Sequence, residues 1–119
     1  MRFLILFTPT DKWKKDIFFN DQPFMPEHVV YVQQAFDQGH VLLAGPFMDF
    51  SGGAIVIDFD TEEAAKAFVK KDPIVQNGVF SYQMKEWNVG MSKLENKNPQ
   101  VGLDFIERKR KKQKKLGII

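Results

Sequence analysis

The residue of this sequence best suited to acid–base chemistry is a histidine at the start of a predicted helix. His28 follows Pro26 and Glu27, two residues that favour the first turn of a helix. The positive end of the helix dipole disfavours a protonated imidazole, so His28 is expected to be neutral and able to accept a proton. The alternative is a structural histidine that is hydrogen-bonded at the helix start.

A carboxylate that could work with this histidine lies at the end of the next predicted helix. Asp72 precedes Pro73, and if it meets His28 it can hold the ring in one tautomer and stabilise the imidazolium that forms. Such a pair supports proton abstraction and return, as in isomerisation, elimination or lactone chemistry. Aspartate before proline is also a common turn residue, so a purely structural Asp72 is the alternative.

Two hydroxyl groups are further candidates for contact with a substrate oxygen. Tyr31 shares a helix face with His28, three residues away, and Ser51 follows the second predicted strand. Both have simpler explanations, because Ser51-Gly52-Gly53 is typical of a hairpin turn and Tyr31 can serve in packing. The second histidine, His40, is expected to be a solvated loop residue.

Several classes of site are excluded or disfavoured. The chain has no cysteine, which excludes disulfides, thiolate nucleophiles and cysteine-ligated metals. Its two histidines have neither HxH nor HExxH spacing, so we expect no metal site. Gly52-Gly53 lacks the lysine of a phosphate loop and leads into a strand. We therefore expect no cofactor.

The elements that position these residues follow from hydrophobic periodicity and helix signals. Four strands and two helices are predicted, and Thr61 is the expected N-cap of the second helix. The strands are residues 2–8, 41–47, 54–59 and 79–87, and the helices are residues 26–38 and 62–71. Residues 9–25 form a long loop with one helical turn at most, and its aromatic residues make it a candidate lid. The order β-α-β-β-α-β indicates a ferredoxin-like α+β fold with an antiparallel sheet.

Two of these strands lack the alternation expected of a sheet with one wet face. Residues 3–7 and 54–57 are apolar throughout. Because two helices cover only one face, we expect a second copy of the chain to cover the other, giving a homodimer or a larger homo-oligomer. The alternative is that the C-terminal segment folds back and covers the sheet with its apolar residues Val101, Leu103, Phe105 and Ile106.

The segment from Ala44 to Gly53, AGPFMDFSGG, resembles the turn of YCII-related (YciI-like) proteins. Four further features follow this segment in the order of that family. They are an apolar strand, the helix start Glu62-Glu63-Ala64, the segment Asp72-Pro73-Ile74-Val75 and a closing strand that ends at Trp87. His28 stands where the family has a histidine. The resemblance covers roughly residues 1–88.

The resemblance implies a dimeric α/β barrel, in which two ferredoxin-like units face each other through their sheets. It also implies that His28 and Asp72 are the catalytic pair of a pocket for a small, often aromatic, molecule, with Gly45, Phe47, Ser51 and Tyr31 as candidate substrate contacts. The chain departs from the family in Ile74, where the family has phenylalanine, in a longer 9–25 loop and in its basic tail.

That tail divides the charge of the chain unevenly. Residues 100–119 carry seven basic and two acidic residues, a net charge of +5, which leaves −3 for the rest. We predict a YCII-like domain at residues 1–90 and a basic extension at residues 91–119. The tail could contact nucleic acid phosphates or an acidic partner, and the alternative is a solvated tail.

RNA-recognition domains share this element order, but their stacking aromatics are replaced here by Ala54 and Val56, so the sheet is not expected to bind RNA. The alternative to an enzyme is therefore a non-catalytic ligand-binding or assembly module.

The apolar run at residues 3–7 is too short for a signal peptide or a membrane span, so a cytoplasmic location without a membrane partner is expected.

Overall fold

The sheet of the computed structural model, which describes residues 1–95, 100 and 102–117, is antiparallel and has four strands. Their spatial order is β2-β3-β1-β4, which is the ferredoxin-like order and confirms the predicted α+β fold. The strands are β1 (Arg2–Pro9), β2 (Val41–Pro46), β3 (Gly53–Asp58) and β4 (Phe80–Glu86).

Two longer helices connect the strands and begin and end close to their predicted bounds. Helix α1 (Met25–Asp37) has Pro26 in its first turn and is followed by Gly39, whose φ of 85° stops the helix. Helix α2 (Glu62–Lys71) is capped by Thr61, whose side chain accepts a hydrogen bond of 3.0 Å from the Ala64 N–H. A short helix that was not predicted, α3 (Pro73–Gln76), follows at once.

The core lies between the sheet and the helices. Alternate residues of β1 and β3 point into it, and they pack against the apolar faces of α1 and α2. Its buried members include Phe3, Ile5, Phe7, Ile55 and Ile57 from the sheet and Val32, Ala35, Ala65 and Val69 from the helices.

The other face of the sheet is apolar in its centre. Leu4 and Leu6 of β1 pair across the sheet with Val56 and Ala54 of β3. On β4 the same face carries exposed polar residues, Ser81, Gln83 and Lys85. Both faces of the central strands β1 and β3 are therefore apolar, as expected from the sequence, whereas the outer face of β4 is polar.

The loop between β1 and α1 is held by a buried glutamine. Gln22 is 1% exposed, and its amide exchanges hydrogen bonds of 2.8 Å with the N–H and C=O of Lys14 and donates a third to the Ile17 carbonyl. One 3-10 turn, Phe19–Asp21, places Phe19 in the core. The loop is thus anchored to the domain at Phe19 and Gln22, while most of its other residues are exposed.

Residues 1–88 form one compact unit, and residues 89–119 form a second. The second unit contains helix α4 (Leu103–Lys115), which carries most of the basic residues of the tail. Val101 and the side chain of Phe105, named above as a cover for the sheet, lie outside the described part of the chain.

Within the described residues, no helix combines the length and the apolar character needed to cross a bilayer.

Candidate functional site

The histidine and the aspartate singled out from sequence are hydrogen-bonded to each other. The Nδ1 atom of His28 lies 2.6 Å from Oδ2 of Asp72, although the two residues are 44 positions apart. His28 is in the first turn of α1, where its backbone N–H donates to the Phe24 carbonyl at 2.9 Å. The bond therefore joins the start of α1 to the junction of α2 and α3.

Asp72 is fixed from several directions. It is 1% exposed, it ends α2 and it caps α3, whose Ile74 N–H donates to its Oδ1 at 3.2 Å. The backbone carbonyl of Asp72 accepts from Val75 and Gln76. Because one carboxylate oxygen caps a helix, the other has little freedom and presents a fixed acceptor to His28.

The imidazole ring is held edge-on against two phenylalanines of the core. Its centroid lies 5.3 Å from that of Phe7 and 6.0 Å from that of Phe80, at interplanar angles of 81° and 86°. Nε2 has no hydrogen-bond partner among the described residues, and the His28 side chain, which is 13% exposed, leaves this atom partly accessible. A ring oriented through Nδ1 with an open Nε2 has the geometry of a general base.

His28 lies in the wall of a cavity of about 370 Å³ between α1 and the β2–β3 side of the sheet. This volume lies in the range of small-molecule sites. Among the residues that the structure describes, the lining is mostly apolar, with three polar side chains, His28, Asn20 and Gln33, and no lysine or arginine. Its other members are Phe7, Phe19, Met25, Val29, Val32, Phe36, Ala44, Gly45, Pro46, Gly53, Ala54, Ile55 and Phe80.

The β2–β3 hairpin makes this cavity possible because its residues next to α1 are small. Ala44 and Gly45 of β2 pair with Ile55 and Ala54 of β3, and no large side chain of β2 fills the space under α1. Gly52 has a φ of 144°, and a Cβ there would lie 2.1 Å from the Phe7 carbonyl oxygen. The hairpin therefore reaches β1 only because this residue has no side chain.

Of the four candidate substrate contacts, Gly45 is in the cavity wall. Phe47 and Ser51 are exposed in the hairpin turn and are not among the lining residues, and the Ser51 hydroxyl donates to Asp49 at 2.6 Å. That hydrogen bond lowers the pKa of the Asp49 carboxyl. Ser51 thus has the turn chemistry that was its alternative explanation.

Tyr31, the fourth candidate, faces away from the cavity. Its hydroxyl donates to the Phe68 carbonyl at 2.6 Å and its ring stacks on Phe68, with centroids 5.0 Å apart. Burial, with a smaller contribution from the nearby Asp72 carboxylate, raises the pKa of Tyr31 to about 12. Tyr31 therefore ties α1 to α2 one turn beyond the His28–Asp72 bond.

Several lining residues were not predicted. Asn20 is exposed at the cavity wall and its side-chain amide has no hydrogen bond to the described residues, whereas the Gln33 amide donates to Asp37 at 2.9 Å. Phe19 and Phe80 are neighbours in the cavity wall, with ring centroids 6.3 Å apart. The sequence offered one signal, the aromatic content of the 9–25 loop, and none for Phe80 or Asn20.

No three or more histidine, aspartate or glutamate side chains in the described ranges, 1–95, 100 and 102–117, converge as metal ligands would. His40, the second histidine, stacks on Phe59 at 4.4 Å, and its Nδ1 lies 3.0 Å from the Asp58 carbonyl oxygen. It is therefore a packed residue of the unit and takes no part in the cavity.

Comparison with protein families finds a match over residues 1–88 to the model described as the YCII-related domain. An uncharacterised protein of Bacillus subtilis, YjpA, is 29% identical over 87 residues, which is 73% of this chain and 94% of the relative. Protein YciI of Escherichia coli is 31% identical over 67 residues, covering 48% of this chain and 68% of the relative.

Among solved structures, a dehydrochlorinase has the same fold. It is the 5-chloro-2-hydroxyhydroquinone dehydrochlorinase of Burkholderia phenoliruptrix, solved in complex with 2,5-dihydroxybenzoquinone. The two structures superpose with a TM-score of 0.61 at 18% identity, over 82% of this chain and 100% of the other. At that identity the similarity establishes the ferredoxin-like fold.

Proposed function

This chain belongs to the YCII-related family, and from that membership and the geometry of the cavity we propose that it binds a small oxygenated molecule and transfers a proton through His28. The reaction class would be isomerase or lyase, without a cofactor. The observation that carries the proposal is the 2.6 Å bond between His28 Nδ1 and buried Asp72, which leaves Nε2 open at an apolar cavity.

The proposed chemistry assigns one role to each member of the pair. Nε2 of His28 takes a proton from a carbon or hydroxyl group made acidic by a neighbouring carbonyl. The imidazolium that forms is stabilised by the Asp72 carboxylate through the Nδ1–H bond. The proton then returns to a different atom, which is isomerisation, or a leaving group departs as the electron pair moves into a new double bond, which is elimination.

The lining of the cavity supports a neutral or weakly acidic substrate with an apolar ring. None of the described lysines or arginines lines the cavity, so a phosphorylated substrate would meet no counter-charge from them there. Phe7, Phe19 and Phe80 offer aromatic surface, and the Asn20 amide is available to a ring oxygen. The structural neighbour is named for removal of hydrogen chloride from a hydroxylated ring, which is an elimination.

Binding is tested first with resorcinol, a dihydroxylated ring that is uncharged at neutral pH, as the probe. We expect saturable perturbation of the His28 and Val32 resonances in a ¹H–¹⁵N NMR titration. Ala44→Leu, which fills the cavity, should weaken binding at least about tenfold. Its matched control, Ala67→Leu on the exposed face of α2, should leave binding unchanged. Equal affinity in both variants would place the probe outside the cavity.

Proton transfer is tested on the same probe by exchange of its ring hydrogens in D₂O. The protein should accelerate this exchange, and His28→Gln should lower the rate about 10²- to 10⁴-fold while retaining the fold. A bound probe whose exchange is equally fast with His28→Gln would contradict a catalytic role for His28. The cavity would then belong to a non-catalytic binding module.

A further inference from the structure

Helix α4 concentrates positive charge to an unusual degree. The eight residues from Arg108 to Lys115 contain seven basic residues and Gln113, and all seven basic side chains are exposed. At a rise of about 1.5 Å per residue they occupy about 12 Å of helix axis, or about one charge per 1.7 Å. Duplex DNA carries one negative charge per about 1.7 Å of its axis, which is the same density.

The charges of α4 surround the helix. Basic residues three and four apart, such as Lys111, Lys112 and Lys115, repel one another along one face, and Lys109, Arg110 and Lys114 extend the charge around the other sides. A polyanion would relieve this repulsion. The order of charge along the helix suits its dipole, with Asp104 in the first turn and Lys112, Lys114 and Lys115 in the last.

The composition of this segment distinguishes between kinds of anionic partner. The apolar side chains described in α4, Leu103 and Ile106, lie in its first turn, and residues 108–115 contain no apolar residue, so the charged segment lacks the apolar face of a helix that lies on a membrane. A protein interface is anchored by aromatic or aliphatic residues in its centre, and single-stranded nucleic acid is bound by stacking on aromatic side chains. Residues 108–115 have neither kind of side chain, so their contacts are those of cations with anionic groups, which duplex phosphates offer at a matching density.

We propose that α4 is a binding helix for duplex DNA, which it contacts through phosphates without reading the base sequence. The major groove of B-form DNA, about 12 Å wide, admits an α-helix, whereas that of an RNA duplex is too narrow. This second activity is independent of the cavity, because it uses no residue of the His28–Asp72 site.

The test measures binding of the full chain to a random-sequence DNA duplex by fluorescence anisotropy across a salt series. Between about 50 and about 200 mM salt the affinity should fall about 10²- to 10³-fold, the dependence expected for four to five phosphate contacts. Replacing Lys111, Lys112 and Lys115 by glutamine, which keeps helix propensity, should reduce the slope of log K against log salt by almost three.

The matched control replaces the three exposed lysines of α2, Lys66, Lys70 and Lys71, by glutamine. This control changes the net charge by the same amount as the α4 variant. It should leave the slope of log K against log salt as it is in the unmodified chain. Equal losses in both triple variants, or no binding at about 50 mM salt, would overturn the proposal. So would tighter binding to single-stranded DNA or to phosphatidylserine-containing vesicles than to the duplex at equal phosphate concentration. Circular dichroism of both variants verifies that the helices remain.

Discussion

At the scale of single residues, the site depends on an aspartate that serves two helices at once. Asp72 caps α3 with one oxygen and holds His28 with the other. The types of residue at positions 28 and 72 made both of them predictable candidates from sequence. Their contact was not predictable from spacing, because it depends on how α1 packs against the α2–α3 junction. Asp72-Pro73 is itself a helix-start signal, a capping residue followed by proline, but the short helix α3 that begins there was expected only as a turn.

The first prediction concerns Asp72→Asn. Asparagine is an equally good helix cap, but its NH₂ group would face Nδ1 and move the ring proton to Nε2. We expect proton transfer to a bound probe to fall about 10²- to 10⁴-fold, while the free energy of unfolding falls by about 1–3 kcal/mol. Rates from D₂O exchange and urea unfolding measure the two effects, with Asp60→Asn as the exposed control. A less stable variant with an unchanged rate would mean that Asp72 is structural only.

The second prediction uses the other bond between α1 and α2. The pKa of Tyr31 is raised from 10.0 to about 12 by burial and by Asp72, so the folded state keeps a proton that the unfolded chain releases. The stability that this phenol contributes is complete below pH 10.0 and is lost as the pH rises through about 12. An absorbance titration of a Tyr82→Phe variant isolates Tyr31, because the chain has two tyrosines.

In that variant, titration of the folded phenol at its ordinary pKa would contradict the burial of the hydroxyl. The Tyr31→Phe variant provides the complementary measurement. It keeps the stacking on Phe68 and should lose less stability than the unmodified chain between pH 10.0 and about 12.

At the scale of elements, the hairpin from β2 to β3 determines whether the cavity exists. Its turn was predicted from Ser51-Gly52-Gly53, and the strand bounds differ from those expected by one residue at the turn. The individual roles of the glycines could not be predicted. Gly52 is required by its φ and by the nearby Phe7 carbonyl, whereas Gly45 has open space around its Cα.

The loop before α1 shows the same limit. A polar glutamine in a loop is expected to be solvated, yet Gln22 is buried and holds the loop together with three hydrogen bonds. Such bonds to the backbone of Lys14 and Ile17 depend on a path of the chain that composition does not encode.

The third prediction compares two glycine substitutions in the hairpin. Gly52→Ala places a methyl group 2.1 Å from a backbone oxygen of β1, which must move, so we expect a loss of more than about 2 kcal/mol in the free energy of unfolding. Gly45→Ala, its matched control, meets nothing within 4 Å and should cost less than about 1 kcal/mol. Urea denaturation measures both. Equal losses would mean that the hairpin does not approach β1 in the manner described.

At the scale of the whole molecule, the ferredoxin-like unit leaves one face of its sheet without helices. The centre of that face is apolar, with Leu4, Leu6, Ala54 and Val56, and is bordered by the polar residues of β4. The apolar runs of β1 and β3 made this face predictable. The polar outer face of β4 was less evident from the sequence, because apolar residues alternate with its polar ones. These apolar residues, Phe80, Tyr82 and Met84, lie on the opposite face and pack in or against the core.

The fourth prediction is that a second copy covers this face, as the sequence led us to expect. Sedimentation equilibrium should give a mass twice the 13.8 kDa of one chain. Leu6→Arg would place a charge in the interface and should produce a folded monomer. The control, Ala67→Arg on the exposed face of α2, should remain a dimer. A monomer in the unmodified chain at micromolar concentration would contradict the proposed pairing.

The most direct test of the central claim, that Asp72 holds His28 as a proton acceptor, is the protonation state of the imidazole ring. A long-range ¹H–¹⁵N correlation spectrum at about pH 8, with the ring assigned from its absence in His28→Gln, reports which nitrogen carries the proton. We predict a proton on Nδ1 and none on Nε2, because Nδ1 lies 2.6 Å from the Asp72 carboxylate. A proton on Nε2 in the unliganded protein, whether as the other tautomer or as the imidazolium, would contradict the assignment of His28 as the general base.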